Sequence, residues 1–163
     1  MLTKGKYSHL AIPMLGDVLV GQVISVGDRI STITVSTILR YNGNGIKIMG
    51  VPRVMHSYIF RGDVDFPCTK LGEIIKIGDL VLGRVKIDWF KPVFISLDTD
   101  ELGIVTAVCE KCGATIPTPK MTDKVICPRC KNSRRTKIST LYDPVAWRSL
   151  HIRNRVRIYS SIQ

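Results

Sequence analysis

Four of the five cysteines in this 163-residue chain fall in two tight pairs, Cys109-Glu110-Lys111-Cys112-Gly113 and Cys127-Pro128-Arg129-Cys130-Lys131, with 14 residues between them. Two C-x-x-C pairs at this spacing are the arrangement of a zinc ribbon, in which two knuckles on two hairpins present four thiolates tetrahedrally. A two-residue gap lets both sulfurs of a pair reach one ion while nearby backbone N–H groups turn toward them. The spacing therefore predicts one structural Zn²⁺ held by Cys109, Cys112, Cys127 and Cys130. Four protein ligands leave no position for a water, so the metal would fold the segment and not catalyse. Gly113 suits the left-handed position that follows a knuckle, and Asn132 is expected to play a similar part in the second. Lys111, Arg129 and Lys131 would offset the net charge of the four thiolates around the ion. A redox dithiol is the competing reading, which a second pair disfavours. Cys68, with no cysteine or histidine beside it, reads as an ordinary thiol.

Elsewhere the pattern is that of a β protein. Short β-branched runs, Val18 to Val26, Arg29 to Leu39, Gly45 to Met49, Leu80 to Ile87 and Val93 to Leu97, are punctuated by Gly27-Asp28, Asn42-Gly43-Asn44-Gly45 and Gly78-Asp79. They predict an all-β barrel or sandwich, with a hairpin and an exposed loop between Leu39 and Phe60. Gly16-Asp17-Val18-Leu19-Val20-Gly21 and Gly78-Asp79-Leu80-Val81-Leu82-Gly83 look alike, each opening a strand that carries an internal glycine. With nothing else visible at that offset, the likeness reads as reused turn chemistry. Helix periodicity is absent before residue 140. Asp143-Pro144 is a helix start, followed by one short helix and then by Arg153, Arg155 and Arg157 alternating with apolar residues, as in an edge strand or basic tail.

Charge narrows the partner. The net charge of +11 is unevenly placed, with +2 on residues 1–103 and +9 on residues 104–163. A basic third of a chain fits a polyanion, and RNA or DNA better than a membrane, because no apolar run of membrane length occurs. A solvated basic face meeting an acidic protein is the plainer account. Candidate nucleic-acid contacts are Lys131, Arg134, Arg135 and Lys137 in the ribbon, and Arg29, Arg40, Arg53, Arg61, Arg84 and Lys86 in the barrel. Tyr58, Phe60, Trp89 and Phe90 could stack on bases or simply fill a core. His9, His56 and His151 have no catalytic spacing, no phosphate-binding loop or nucleophile elbow is present, and the chain is not expected to be an enzyme.

The ordered series resembles the CSL-type cap subunit of the RNA exosome. It comprises Gly16 to Val26, Ser57-Tyr58-Ile59-Phe60-Arg61-Gly62, Ile77-Gly78-Asp79-Leu80-Val81-Leu82-Gly83-Arg84-Val85, Asp100-Glu101-Leu102-Gly103-Ile104-Val105 and the four cysteines. The resemblance covers residues 14 to 140. It implies a mainly β fold, a five-stranded OB-fold barrel of the S1 type followed by a small zinc ribbon and a short C-terminal extension. The corresponding boundaries are an arm over 1–13, the barrel over 14–102, the ribbon over 103–140 and a basic extension over 141–163.

It also implies a noncatalytic subunit on a ring of RNase PH-like proteins, beside other cap subunits. There it would meet single-stranded RNA on its way to 3′-to-5′ degradation and processing, rRNA included. Family members commonly carry a further N-terminal β-domain, where only about a dozen residues precede the barrel here. The start of the chain lacks a secretory signal, which points to an intracellular protein: nuclear, nucleolar and cytoplasmic in a eukaryote, cytoplasmic in an archaeon. A free-standing RNA-binding or ribosome-associated factor built from the same two modules is the alternative, followed by a transcription zinc ribbon.

Overall fold

The computed structural model describes residues 11–87 and 92–160. Five strands wind into a barrel: β1 Val18–Val26, β2 Ile30–Tyr41, β3 Ile46–Val64, β4 Leu80–Ile87 and β5 Val93–Leu97. Their neighbour order is β1-β2-β3-β5-β4, and β4 returns to β1 to close the ring; β3 and β5 run parallel and the other pairs antiparallel. This is the OB-fold order. A sixth strand, β6 Gly103–Thr106, lengthens the sheet on β4 and leads into the first cysteine pair, while β7 Lys124–Ile126 and β8 Ser133–Arg135 form a separate hairpin around the second. A mainly β architecture with a small ribbon behind the barrel is thus what the chain adopts.

Alternation builds the interior. Leu19 and Val23, Ile33 and Val35, Ile59, Val81 and Val85, and Ile95 point inward and are almost wholly buried. The core does not stop at the barrel, because Ile104, Val105, Ala107, Ile116, Val125 and Tyr142 belong to the same cluster. Strong curvature requires two strands to approach very closely. A Cβ on Gly21 would lie 2.7 Å from the Ile33 side chain, and one on Gly83 would lie 2.5 Å from Ile95.

The two glycine strands are related more deeply than their sequences suggest. Gly16 donates to the Val85 carbonyl as Gly78 does to that of Val23, and Val85 donates to Asp17 as Val23 does to Asp79. Val23 pairs with Ile33, and Val85 with Ile95, at the same separation along the chain. The repeat therefore reaches into both hairpins, where turn chemistry alone would have ended at the strand starts.

Two expectations are corrected. The connection before Phe60 is not a loop: β3 runs for 19 residues, from Ile46 to Val64. Pro52 is accommodated because the ladder with β2 passes from Gly50 to Met55 across an irregularity, so no rung needs its missing N–H. The C-terminal arginines lie on neither a strand nor a tail, since one helix, α1, spans Pro144–Ser160. Asp143 caps it through the Ala146 N–H, as the Asp-Pro signal predicts. Polar groups anchor this helix. A bulge between Val35 and Thr37 turns Ser36 outward, where its hydroxyl lies 2.8 Å from His151 Nδ1, and Asn154 donates to the Thr37 hydroxyl at 2.7 Å. Among the described residues no helix is long and apolar enough to cross a membrane.

Candidate metal centre and nucleic-acid interface

The two knuckles repeat each other bond for bond. Cys109 N–H donates to Ala114 O and Gly113 N–H to Cys109 O, just as Cys127 N–H donates to Asn132 O and Lys131 N–H to Cys127 O. Position for position, the partner of Gly113 (φ +71) is Lys131 (φ +62), the one non-glycine with positive φ among the described residues. Asn132, the residue expected there, comes one position too late. Sequence reading favoured asparagine for its tolerance of left-handed backbone; the closing hydrogen bond selects the fifth residue of the knuckle, whatever its side chain.

All four sulfurs lie within 4.8 Å of one another, Cys109 and Cys130 at 3.4 Å and Cys112 and Cys127 at 3.5 Å. None is in a disulfide. Four thiolates about 2.3 Å from one ion would stand roughly 3.8 Å apart, so the cluster has the size of a tetrahedral sulfur site and can hold a metal ion. The backbone favours the charged form at the first cysteine of each pair. N–H groups of Cys112 and Lys111 draw the Cys109 thiol down to about 6, and those of Cys130 and Arg129 lower Cys127. Cys112 receives the Ala114 N–H, but burial and three neighbouring thiols push it up to about 11.

The ribbon is braced against the barrel by ion pairs and hydrogen bonds. Arg134 on β8 sets Nη2 2.6 and 2.7 Å from the two carboxylate oxygens of Asp79, and Thr136 donates to Ile74 O at 2.6 Å. Asp79 also accepts from the Lys76 and Val108 N–H groups. Burial pushes its carboxyl up, against the opposing pull of Arg134 and those donors. Lys76 meets Glu110, inside the first knuckle, at 3.0 Å. Asp17 does for the first hairpin what Asp79 does for the second, taking Arg40 at 2.9 and 2.7 Å and the Met14 N–H at 2.8 Å.

The candidate nucleic-acid surface lies on the outer face of β3 and β5. Because Ile59 and Ile95 point inward, Tyr58, Phe60 and Phe94 point outward, and Phe60 stacks on Phe94 at 4.9 Å with Tyr58 tilted at 5.8 Å. Arg61 follows directly; its backbone N–H bonds to Arg29 O in the β1–β2 turn, and its side chain donates to Thr69 O. Phe94 was missed, although the alternation around Ile95 in Val93–Leu97 carries the signal. Trp89 and Phe90 lie outside the described residues, as does His9.

The remaining candidates separate. Arg84 and Lys86 are exposed on β4, Lys86 paired with Asp63. Arg53 is exposed but stands about 17 Å along β3 from Tyr58, at ordinary strand rise. Lys131 is exposed on its knuckle, and Arg135 lies over the Phe66 ring at 5.0 Å while donating to Pro67 O. Two are corrected. Arg134 is buried against Asp79, and Lys137 is buried with its ammonium 2.6 Å from the Thr99 and Leu102 carbonyls; neither presents charge to a ligand. Burial also lowers the Lys137 ammonium. Their place in a basic run concealed this, because charge pattern records which residues are basic and not which way they face.

No family model matches the chain. It is similar to the exosome complex component Csl4 of Archaeoglobus fulgidus, with 27% identity over 136 residues that take in 81% of this chain and 68% of that protein. Among solved structures it is similar to a crystal structure provisionally described as an exosome complex RNA-binding protein, at 18% identity and a TM-score of 0.40. That match covers 61% of this chain, which spans about half (51%) of the other.

Proposed function

We propose that this chain, a relative of the exosome component Csl4, is a noncatalytic RNA-binding cap subunit of an RNA exosome, working inside the cell. The observation that carries the reading is the aromatic trio Tyr58, Phe60 and Phe94 with Arg61 beside it, on β3 and β5 of an OB barrel, next to the β2–β3 face with which such barrels bind oligonucleotides. Stacking on the rings and phosphate contact through Arg61, Arg84 and Lys86 would take single-stranded RNA with little sequence preference. Exposed Lys131 and Arg135 would extend the cationic track onto the ribbon. In this division residues 14–102 bind RNA, the ribbon over 103–140 holds one structural Zn²⁺ on Cys109, Cys112, Cys127 and Cys130, and the helix α1 of the extension over 141–163 braces the barrel. RNase PH-like ring subunits and other cap subunits are the partners, and the chain hands RNA to their 3′-to-5′ exonuclease without an active site of its own.

Two measurements test this. In fluorescence anisotropy with a labelled oligo(rU), affinity should fall as salt rises, and Phe60→Ala or Tyr58→Ala should weaken binding roughly 5- to 150-fold, about 1–3 kcal/mol per stacked base. Binding that ignores both substitutions would remove RNA from this face. Affinity purification from the native source after nuclease treatment should recover RNase PH-like subunits near equal stoichiometry. Recovery of ribosomal proteins in their place would favour a free-standing RNA-binding factor.

A further inference from the structure

The side of α1 that faces away from the barrel is not plain solvent-exposed helix. A groove of about 450 Å³ runs between the ribbon segment after the first knuckle and the first two turns of α1, lined by Thr115, Pro117, Val145, Arg148, Ser149 and Ile152. Its apolar side chains are open: Val145 is 75% exposed and Ile152 51%. They lie seven residues apart on one helical face, while Trp147, His151 and Asn154 hold the opposite face to the protein.

The edge of the groove is cationic. Arg148 donates to the Thr115 hydroxyl across it, leaving further guanidinium donors for a partner, and Arg153 is exposed next to Ile152. Along its whole length α1 carries four arginines and no Asp or Glu. Asp143, just before the helix, accepts the Ala146 N–H. An aliphatic floor bordered by fixed positive charge complements a protein segment that alternates apolar and acidic side chains. RNA is a poorer fit, because the groove offers no aromatic ring for a base to stack on and the indole of Trp147 is turned away to donate to Leu141 O.

We propose that this groove docks an acidic protein segment, its apolar side chains seated over Val145 and Ile152 and its carboxylates on Arg148 and Arg153. The groove is separate from the β3–β5 face, so the assignment stands whether or not that face binds RNA. Its ribbon wall follows directly from the first knuckle: Thr115 is bridged to Val108, and Ile116 donates to Ala107 O. Docking is therefore expected of the metal-loaded protein.

Panning a phage-displayed random library of about twelve residues on the full zinc-loaded chain tests the proposal without presuming a sequence. Enriched peptides should combine Asp or Glu with Leu, Ile or Phe. Synthesised and labelled, they should bind roughly tenfold or more weakly to Val145→Glu, Ile152→Glu and Arg148→Glu variants of unchanged circular dichroism, and with unaltered affinity to Phe60→Ala. The proposal is overturned if no acidic–apolar pattern is enriched, or if Ile152→Glu leaves binding intact. Oligo(rU) binding that Arg148→Glu abolishes and Phe60→Ala spares would instead make the groove an RNA surface and overturn it as well.

Discussion

Lys131 keeps a left-handed backbone because the second knuckle must close on Cys127, a conformation that costs an L-residue with a Cβ about 1–2 kcal/mol. Lys131→Gly should accordingly raise stability by roughly 1 kcal/mol, less glycine's extra unfolded-state entropy, read as a higher denaturant midpoint with an unchanged m-value. Tyr142 is a second position where one side chain joins two segments, its hydroxyl donating to Ile116 O at 2.6 Å and accepting from Ala107 N–H at 3.0 Å. Burial pushes this phenol up to about 12. The unfolded chain releases the same proton near pH 10, so stability present below pH 10 is lost as pH rises from about 10 toward 12, by roughly 3 kcal/mol in all. Urea titrations at pH 9 and 11 should show about half of that loss in the native protein, and Tyr142→Phe should start lower and lose less. The four-thiol cluster was legible because spacing alone brings the two pairs together. Phe94 was legible only after its strand had been assigned an inward residue.

At the scale of elements, β8 and the turn before β4 are joined by Arg134 and Asp79, both nearly inaccessible. Removing one member of such a pair strands the other. Arg134→Met should cost on the order of 3–5 kcal/mol, measured by chemical unfolding, whereas exposed Arg84→Met should change stability by less than about 0.5 kcal/mol. Strand identity followed from β-branched runs and turn residues for β1, β4 and β5, whose ends are as the alternation predicts. It failed for β3, where the stretch before Phe60 read as an exposed loop; a bulged partner strand removed the rung that Pro52 cannot make. It failed again for α1, since its buried anchors, His151 and Asn154, are polar and meet hydroxyls exposed by the same irregularity in β2.

Over the whole molecule, a ribbon that would be too small to hold a core alone shares one with the barrel, through Ile104, Val105, Ala107, Ile116 and Val125. β6 belongs to the barrel's sheet and ends three residues before Cys109. A metal held by the four thiols would therefore be coupled to the stability of the barrel. Chelation of the zinc-loaded protein should raise hydrogen exchange in the ribbon and also in β4, β6 and the Ile74–Asp79 turn, while β2 and β3 retain more of their protection. An exchange increase confined to the knuckles would show that the two parts melt separately. Local pattern was enough for the pairing of the four cysteines, the β character of the first hundred residues and the start of the helix, because these depend on neighbours within a few positions. Which cations face solvent, how far β3 runs, and the joining of ribbon, helix and barrel over one continuous core emerged only with the folded chain. Those outcomes depend on pairings between segments distant along the chain, up to 117 positions apart for Asn154 and Thr37, and local pattern carries no record of them.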